Sequence, residues 1–312
     1  MRKSKHLILS SFYFDFNDDL TNITKVKELF KKQNILDLER FDKIKSITEY
    51  KFNGYNINFV YLPKNIIYMY AGFTNAHIIY IKFPSNLIKI DEYSFFYNEI
   101  KYLDLSKCSK LKNIPYQCFY SNPIKKIKLP KYLENIEGEC FFENEIEILD
   151  LSNYKNLKDI YAEAFQSNKI KNIKLSPSIE NIEDCSFDDN KIESLDLSIC
   201  NKITTIYENS FSNNNISDLK LPINVKNIEY SAFNYNQIEF LNLSNCKKLK
   251  YINYYAFSDN PLKEIKILDN IKIEYDYSKY DLWNKFVEYY DDNDKKSGDY
   301  KYENDKWQWY PL

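Results

Sequence analysis

Any chemistry in this chain of 312 residues would have to start from two histidines, six cysteines and 45 carboxylates. A histidine does acid–base or nucleophile-activating work only with a partner that orients it, and it holds a metal only with other ligands at suitable spacing. His6 stands in the basic start of the chain. His77 has no Asp, Cys or second His at ligand or triad spacing in the sequence, so it reads as a turn residue. No cysteine pair has metal spacing. Four glycines are too few to build a phosphate-cradling loop. The carboxylates are scattered, and no isolated pair stands out as acid and base. The chain reads as a non-enzyme with no cofactor and no metal.

The residue types that remain are those of binding. Phe59, Tyr61, Tyr80 and Tyr102 fall at corresponding places in successive segments. On adjacent strands they would form one contiguous aromatic patch, and clustered exposed aromatics are what protein interfaces use as anchors. Tyrosines so placed could also stack on sugar rings.

What must position these residues is a repeat. The phrase Ile100-Lys-Tyr-Leu-Asp-Leu-Ser106 returns from Ile146, Ile192 and Ile238, every 46 residues. A second phrase lies between the copies: Ile124-Lys-Lys-Ile-Lys-Leu-Pro130, then from Ile170 and from Ile216. The unit is therefore a coil, alternating between a 24-residue and a 22-residue form. Fixed periods of this size mark solenoids. The Leu-x-Leu alternation at Leu103 and Leu105 is a strand signature. Leu111 and Ile114 follow, and a Phe closes each coil, in ten coils from Phe52 to Phe257. Each coil supplies one layer of core that only stacking buries.

Two further ladders accompany the phenylalanines. An Asn stands three residues after most of them, from Asn98 to Asn260, as expected if its amide satisfies backbone groups at the turn into the next strand. A small residue (Ser94, Cys118, Cys140, Ala164 and their equivalents) usually precedes the Phe and lets coils approach. Residues 57–77 break the pattern. They number 21, Phe73 comes one place early, and Ala76 replaces the Asn. Another short coil, 78–99, follows directly.

Ile-x-x-Ile-x-Leu-Pro-x-x-Leu-x-x-Ile-x-x-x-x-Phe, as in residues 124–141, resembles the BspA-type leucine-rich repeat. Ala164-Phe165, Ala232-Phe233 and Ala256-Phe257 keep that family's Ala-Phe pair. The resemblance covers residues 33–273. It implies a mostly-β leucine-rich-repeat solenoid, right-handed, with a parallel sheet on its concave side. It also implies an interaction module, often a bacterial surface adhesin. Phe286, Tyr289, Gly298-Asp299-Tyr300 and Trp307 resemble a short tail of some bacterial BspA-like proteins.

The expected organisation is an N-terminal cap over 1–32, a solenoid over 33–273 with ten coils and a partial eleventh, and a C-terminal cap and tail over 274–312. Ile23, Val26, Leu29 and Phe30 share one face of a helix over 22–32 that would cover the first core layer. Trp283, Phe286 and Val287, with Tyr289 and Tyr290, suit a short helix at the other end. Residues 298–312 suit a small hairpin or a segment packed on the last coil, and Trp307 and Trp309 alternate as on a strand.

The outward strand position gives Asp in long coils (Asp104, Asp150, Asp196) and Lys in short ones (Lys128, Lys174, Lys220), which predicts a self-neutralising charge ladder. A formal net charge of −2 argues against a nucleic-acid partner or an anionic membrane held by general electrostatics. The basic start at Met1-Arg-Lys has only a short apolar run behind it, broken by Ser10-Ser11 and lacking a cleavage site, so it does not read as a secretory signal. No apolar run is long enough to span a membrane. Cys108, Cys200 and Cys246 share one slot of the long coil; Cys118 and Cys140 share the slot before Phe, which Ala and Ser also use, and read as small buried thiols. The expectation is a monomeric, cytoplasmic protein that binds a partner protein through the concave aromatic patch. The alternatives are a surface adhesin or a glycan-binding protein exported without a recognisable signal.

Overall fold

The computed structural model describes residues 34–39, 44–47, 52–274 and 281–311. The helix expected over 22–32 lies outside them. The described residues form a mostly-β parallel solenoid of coils with one α-helix. They fall into two compact units, the first ending at Ile146 and the second beginning at Glu147.

Each coil of either unit carries one strand of three residues, four in the last, and one two-residue strand. In the first unit the longer strands are Ile35–Asp37, Phe59–Tyr61, Tyr80–Lys82, Tyr102–Asp104 and Lys126–Lys128. In the second they begin at Ile148–Asp150 and end at Glu264–Ile267. The strands are short because the coil needs only one Leu-x-Leu alternation to send two side chains inward before the chain turns.

The parallel sheet is divided rather than continuous. In the second unit Ile148–Asp150 pairs with Asn172–Lys174, and Ser194–Asp196 with Asp218–Lys220. Each pair joins a long coil to the short coil after it. From a short coil to the next long one, backbone bonding thins to contacts such as Glu193 N–H to Lys171 O at 3.5 Å. The first unit follows the same rule. Its two successive short coils extend one sheet to three strands, Ile35–Asp37, Phe59–Tyr61 and Tyr80–Lys82. The next long coil starts a new pair, Tyr102–Asp104 with Lys126–Lys128.

The phenylalanines stack into a column within each unit. In the first, Phe73, Phe95, Phe119 and Phe141 follow one another with ring centroids 5.3–5.7 Å apart. In the second, Phe165 to Phe257 continue in the same manner, with planes within 10° of parallel. No Phe follows the partial last coil. Trp283, fully buried, takes the place with its ring 5.0 Å from that of Phe257. The small residues before each Phe, from Ser94 to Ala256, are fully buried, as close coil stacking requires.

The Asn ladder does what its position demands. Asn190 Oδ1 accepts from Ile170 N–H at 3.0 Å, and its Nδ2 donates to Phe165 O at 2.9 Å. Phe165 belongs to the preceding coil, and Ile170 opens the coil that Asn190 closes. Asn214, Asn236 and Asn260 repeat this in the second unit, and Asn98, Asn122 and Asn144 do so in the first. The irregular coil lacks the amide and supplies a substitute. There the backbone carbonyl of Ala76 accepts from Ile57 N–H at 2.8 Å. One residue fewer brings main chain to where a side chain otherwise reaches.

The C-terminal end closes the second unit. The helix Leu282–Asp292 begins at Asp281, whose side chain accepts from Asn284 N–H at 2.9 Å and from Asp259 N–H at 3.1 Å. One carboxylate thus caps the helix and ties it to the last turn. The strands Gly298–Glu303 and Lys306–Tyr310 form the expected hairpin, and the first pairs antiparallel with Glu264–Ile267. A sheet edge that would otherwise be open is covered. Phe286 packs against Tyr300 and Trp307 at 5.3 and 5.4 Å, so the aromatic tail motif is core of a cap.

Candidate functional site

Among the described residues, no group of three His, Cys, Asp or Glu side chains could hold a metal ion. All six cysteines are free, and five are buried. Cys108 and Cys200 donate to the backbone carbonyls of Pro84 and Ser176, each at 3.5 Å and one coil back. Cys185 is half-buried. Burial, then the charges of Asp188, Glu163, Asp184 and Glu208, push its thiol up to about 12, which keeps it protonated and unreactive. His77 does find a carboxylate that the sequence reading missed. Glu99 Oε1 lies 2.9 Å from its Nδ1, and both groups are half exposed. The signal was available: Glu99 is 22 residues on, one coil length.

The charge ladder has a cause that the sequence reading did not see. Asp104 Oδ1 accepts from Ser106 N–H at 3.0 Å and from its hydroxyl at 2.6 Å. Asp150 does the same with Ser152. Asn242 holds Ser244 with identical bonds and no charge. The residue is therefore selected first to close an Asx turn. The lysines stand farther off, Lys128 at 3.6 Å from Asp104 and Lys174 at 3.9 Å from Asp150, largely exposed. Exposed pairs of this kind contribute about 0–1 kcal/mol. The Ser152 hydroxyl, above all, holds the Asp150 carboxyl below the usual range. At Asp104 and Asp196 burial works upward, and the serine bonds and neighbouring lysine outweigh it.

The four aromatics named from the sequence are placed as follows. Phe59 and Tyr80 face each other in register on adjacent strands and are exposed, at 37% and 39%. Tyr61 is half-buried, its ring 6.0 Å from that of Tyr80. Beside them Lys82 reaches Glu39 at 2.9 Å, two coils back. The hydrogen bond and charge of Glu39 raise the Lys82 pKa. Tyr102 is exposed too, but it stands on the far side of the sheet division. Its hydroxyl donates to Asp104 at 3.0 Å and its ring lies under Lys128. Phe59, Tyr61 and Tyr80 therefore belong to one sheet and Tyr102 to the next. Ile148 and Phe240 hold the equivalent outward place in the second unit and are more exposed still, at 66% and 61%. They lack exposed aromatic neighbours in the paired strands, and single exposed apolar side chains are ordinary.

A second aromatic group was not anticipated. The residue just after the column Phe is Phe96, Tyr120 and Phe142 in three successive coils. These rings stack on the outer side of the turns, Phe96 on Tyr120 and Tyr120 on Phe142, each at 4.9 Å. Tyr93 and Tyr97 flank Phe96 edge-on. The sequence reading attended to the strand rows and overlooked this one, although its spacing matches the Phe ladder's.

None of the helices among the described residues is long and apolar enough to cross a membrane. Among curated proteins none matches the chain. Solved structures with similar coils include the pneumococcal vaccine antigen PcpA, at 19% identity over 73% of this chain and 67% of that one, with a TM-score of 0.44. A leucine-rich repeat protein from Bacteroides ovatus is 16% identical over 75% of this chain and 82% of its own, at 0.41. A leucine rich cell surface protein from Faecalibacterium prausnitzii is 12% identical over 76% and 84%, at 0.38. The model of the BspA type leucine rich repeat region matches six copies over residues 23–147 and 158–281. With that model covering most of the chain, and with its Phe column and Asn ladder in place, the protein belongs to the BspA-type leucine-rich-repeat family.

Proposed function

We propose that the protein is a non-catalytic interaction module that binds a partner protein through the face of its three-residue strands in the first unit. The observation that carries this reading is the three-stranded sheet that sets Phe59 beside Tyr80, both exposed, with Tyr61 packed against Tyr80. Tyrosine and phenylalanine held on strands offer large contact area with little conformational entropy to lose. Tyr102 extends the surface from the neighbouring sheet. The Lys82–Glu39 pair lies at its edge, where a polar rim is expected.

The test is affinity capture with the full chain as bait, comparing wild type with Tyr80→Ala and Tyr102→Ala. A partner retained by wild type and lost by Tyr80→Ala supports the reading. A partner held equally by both variants would place binding elsewhere on the molecule. Screening the same proteins on a glycan array separates the protein-binding reading from sugar stacking, since sugar binding lost in the same variants would replace it. Fractionation of the source cells distinguishes a cytoplasmic module from a surface one.

A further inference from the structure

The turn segments 91–99, 115–123 and 137–145 of the first unit contain seven carboxylates and neither lysine nor arginine. The stacked rings of Phe96, Tyr120 and Phe142 run across these three segments. Tyr93 and Tyr97 stand beside them, 40% and 48% exposed. Glu92 and Glu143 are exposed on the same turns and have no ion pair among the described residues.

Nothing in the coil demands these aromatics. The same slot in the second unit holds Gln166, Asp188, Ser212, Asn234 and Ser258, and the Phe column stacks there just as well. Lys89 pairs with Asp91, Lys125 with Glu145 and His77 with Glu99, which leaves Glu92 and Glu143 as uncompensated charges at the rim. A row of rings that the fold does not need, with free carboxylates beside it, is a surface kept for something else.

We infer that this turn face binds an arginine-bearing segment of another protein. A guanidinium stacks on tyrosine and phenylalanine faces and edges and takes carboxylates bidentately, so it satisfies both components of the surface at once. The ring stack is preorganised, since Phe96 is braced by Tyr97 at 4.4 Å and Tyr97 rests on Tyr120 at 5.7 Å. Little side-chain entropy is left to lose on binding. An anionic partner would be repelled. A second copy of this chain fits poorly, because its only arginines are Arg2 and Arg40. The surface is distinct from the strand face discussed above, and the two readings stand or fall separately.

The experiment titrates the full chain into a fluorescein-labelled peptide of arginines spaced by serine and glycine, read by anisotropy. Peptides with lysine or glutamate in place of arginine are the comparators. Saturable binding is expected, tighter for arginine than for lysine, absent for glutamate, and weakened at high salt. Tyr97→Ala and Tyr120→Ala should each reduce affinity roughly 3- to 10-fold. Glu143→Gln, which leaves the rings intact, should reduce it roughly 2- to 5-fold. Tyr80→Ala on the strand face should leave it unchanged. The inference is overturned by absence of saturable binding to wild type. It is also overturned if the tyrosine variants, shown folded by circular dichroism, bind as well as wild type, or if Asp188→Asn on the second unit weakens binding as much as Glu143→Gln does.

Discussion

In the coil that ends at Asn144, the residue after the column phenylalanine is Phe142, stacked on Tyr120. In the coil that ends at Asn190 it is Asp188, which instead accepts from Gln166 at 2.8 Å and from Asn213 at 2.9 Å. The inner side chains of the two coils are nearly interchangeable: Cys140 and Ser186, Phe141 and Phe187, Asn144 and Asn190, all buried. The two units thus agree wherever a side chain faces a neighbouring coil and differ where it faces solvent. Stacking fixes the inner positions, because each must match a copy of itself one coil away. The outer positions carry no such constraint, so departures there point to something other than the fold.

The largest expected effect lies on the inner side of this contrast. Asn190→Ala removes the acceptor of Ile170 N–H at the start of its own coil and the donor to Phe165 O in the preceding coil. It also removes bonds to its own turn at Phe187 O and Asp188 O. Buried groups left unsatisfied cost about 1–3 kcal/mol each, so a loss of about 3–5 kcal/mol is expected in urea unfolding. A loss below about 1 kcal/mol would mean that water replaces the amide and the ladder is not what joins the coils. The irregular coil shows how main chain can take over, with Ala76 O in the role of the amide oxygen.

Next in size is the C-terminal cap. A Cβ on Gly298 would meet the Trp309 indole and the Tyr310 carbonyl oxygen at 2.8 Å. Gly298→Ala must push the hairpin strands apart or displace Trp309, whose Nε1 donates to Ser297 O at 3.1 Å. The expected loss is about 1–3 kcal/mol, seen as a lower midpoint of thermal unfolding. An unchanged midpoint would show that the hairpin contributes nothing to the stability of the last coil.

The Asx turns supply a smaller effect that separates hydrogen bonding from charge. Asp150→Ala deletes two bonds to Ser152, and a loss of about 1 kcal/mol is expected. Asp150→Asn should be nearly neutral at pH 7, because Asn242 makes the same turn. Acid tests the charge. The carboxyls of Asp104, Asp150 and Asp196 sit below their ordinary values in the folded protein. Their contribution is therefore complete above the unfolded carboxylate pKa and is lost as pH falls through the lowered folded one. The triple variant with Asn at these positions should lose less of its midpoint than wild type between about pH 5 and pH 2. Parallel curves would show that the Lys128, Lys174 and Lys220 neighbours and the serine bonds do not depend on ionisation.

Much of this was legible in the sequence. The 46-residue period placed the Phe column, the Asn ladder and the small residues correctly, because all three are self-matching inner positions. Trp283 was read as part of a capping helix from its apolar spacing, and the hairpin after it from the alternation of Trp307 and Trp309. Besides the Glu99 partner of His77, three features were not read. The role of Asp104 looked like charge because a side chain's bond to a serine two residues on is local geometry that periodicity does not report. The sheet divisions depend on backbone register between long and short coils, which no residue type announces. The ring stack at Phe96, Tyr120 and Phe142 occupies an outer slot, where no second ladder was expected.

The smallest expected effect tests what the turns themselves cost. Every coil turn from Tyr93 onward places residues two before and two after its Phe at positive φ, as with Gln117 at 49° and Ser121 at 49°. Non-glycine residues there carry about 1–2 kcal/mol of strain apiece. Yet the chain has only four glycines, so the strain is tolerated at almost every coil and offset by the stacking on either side. Ser121→Gly relieves it at one point. Ser121 N–H keeps its bond to Phe142 O at 2.8 Å, and the unfolded chain gains about 0.5–1 kcal/mol of entropy. The net change should be a stabilisation of about 0–1 kcal/mol, measured by the urea midpoint. A clear destabilisation would mean that the left-handed residues are held by their side chains, and that the turn surfaces of the two units differ for structural reasons after all.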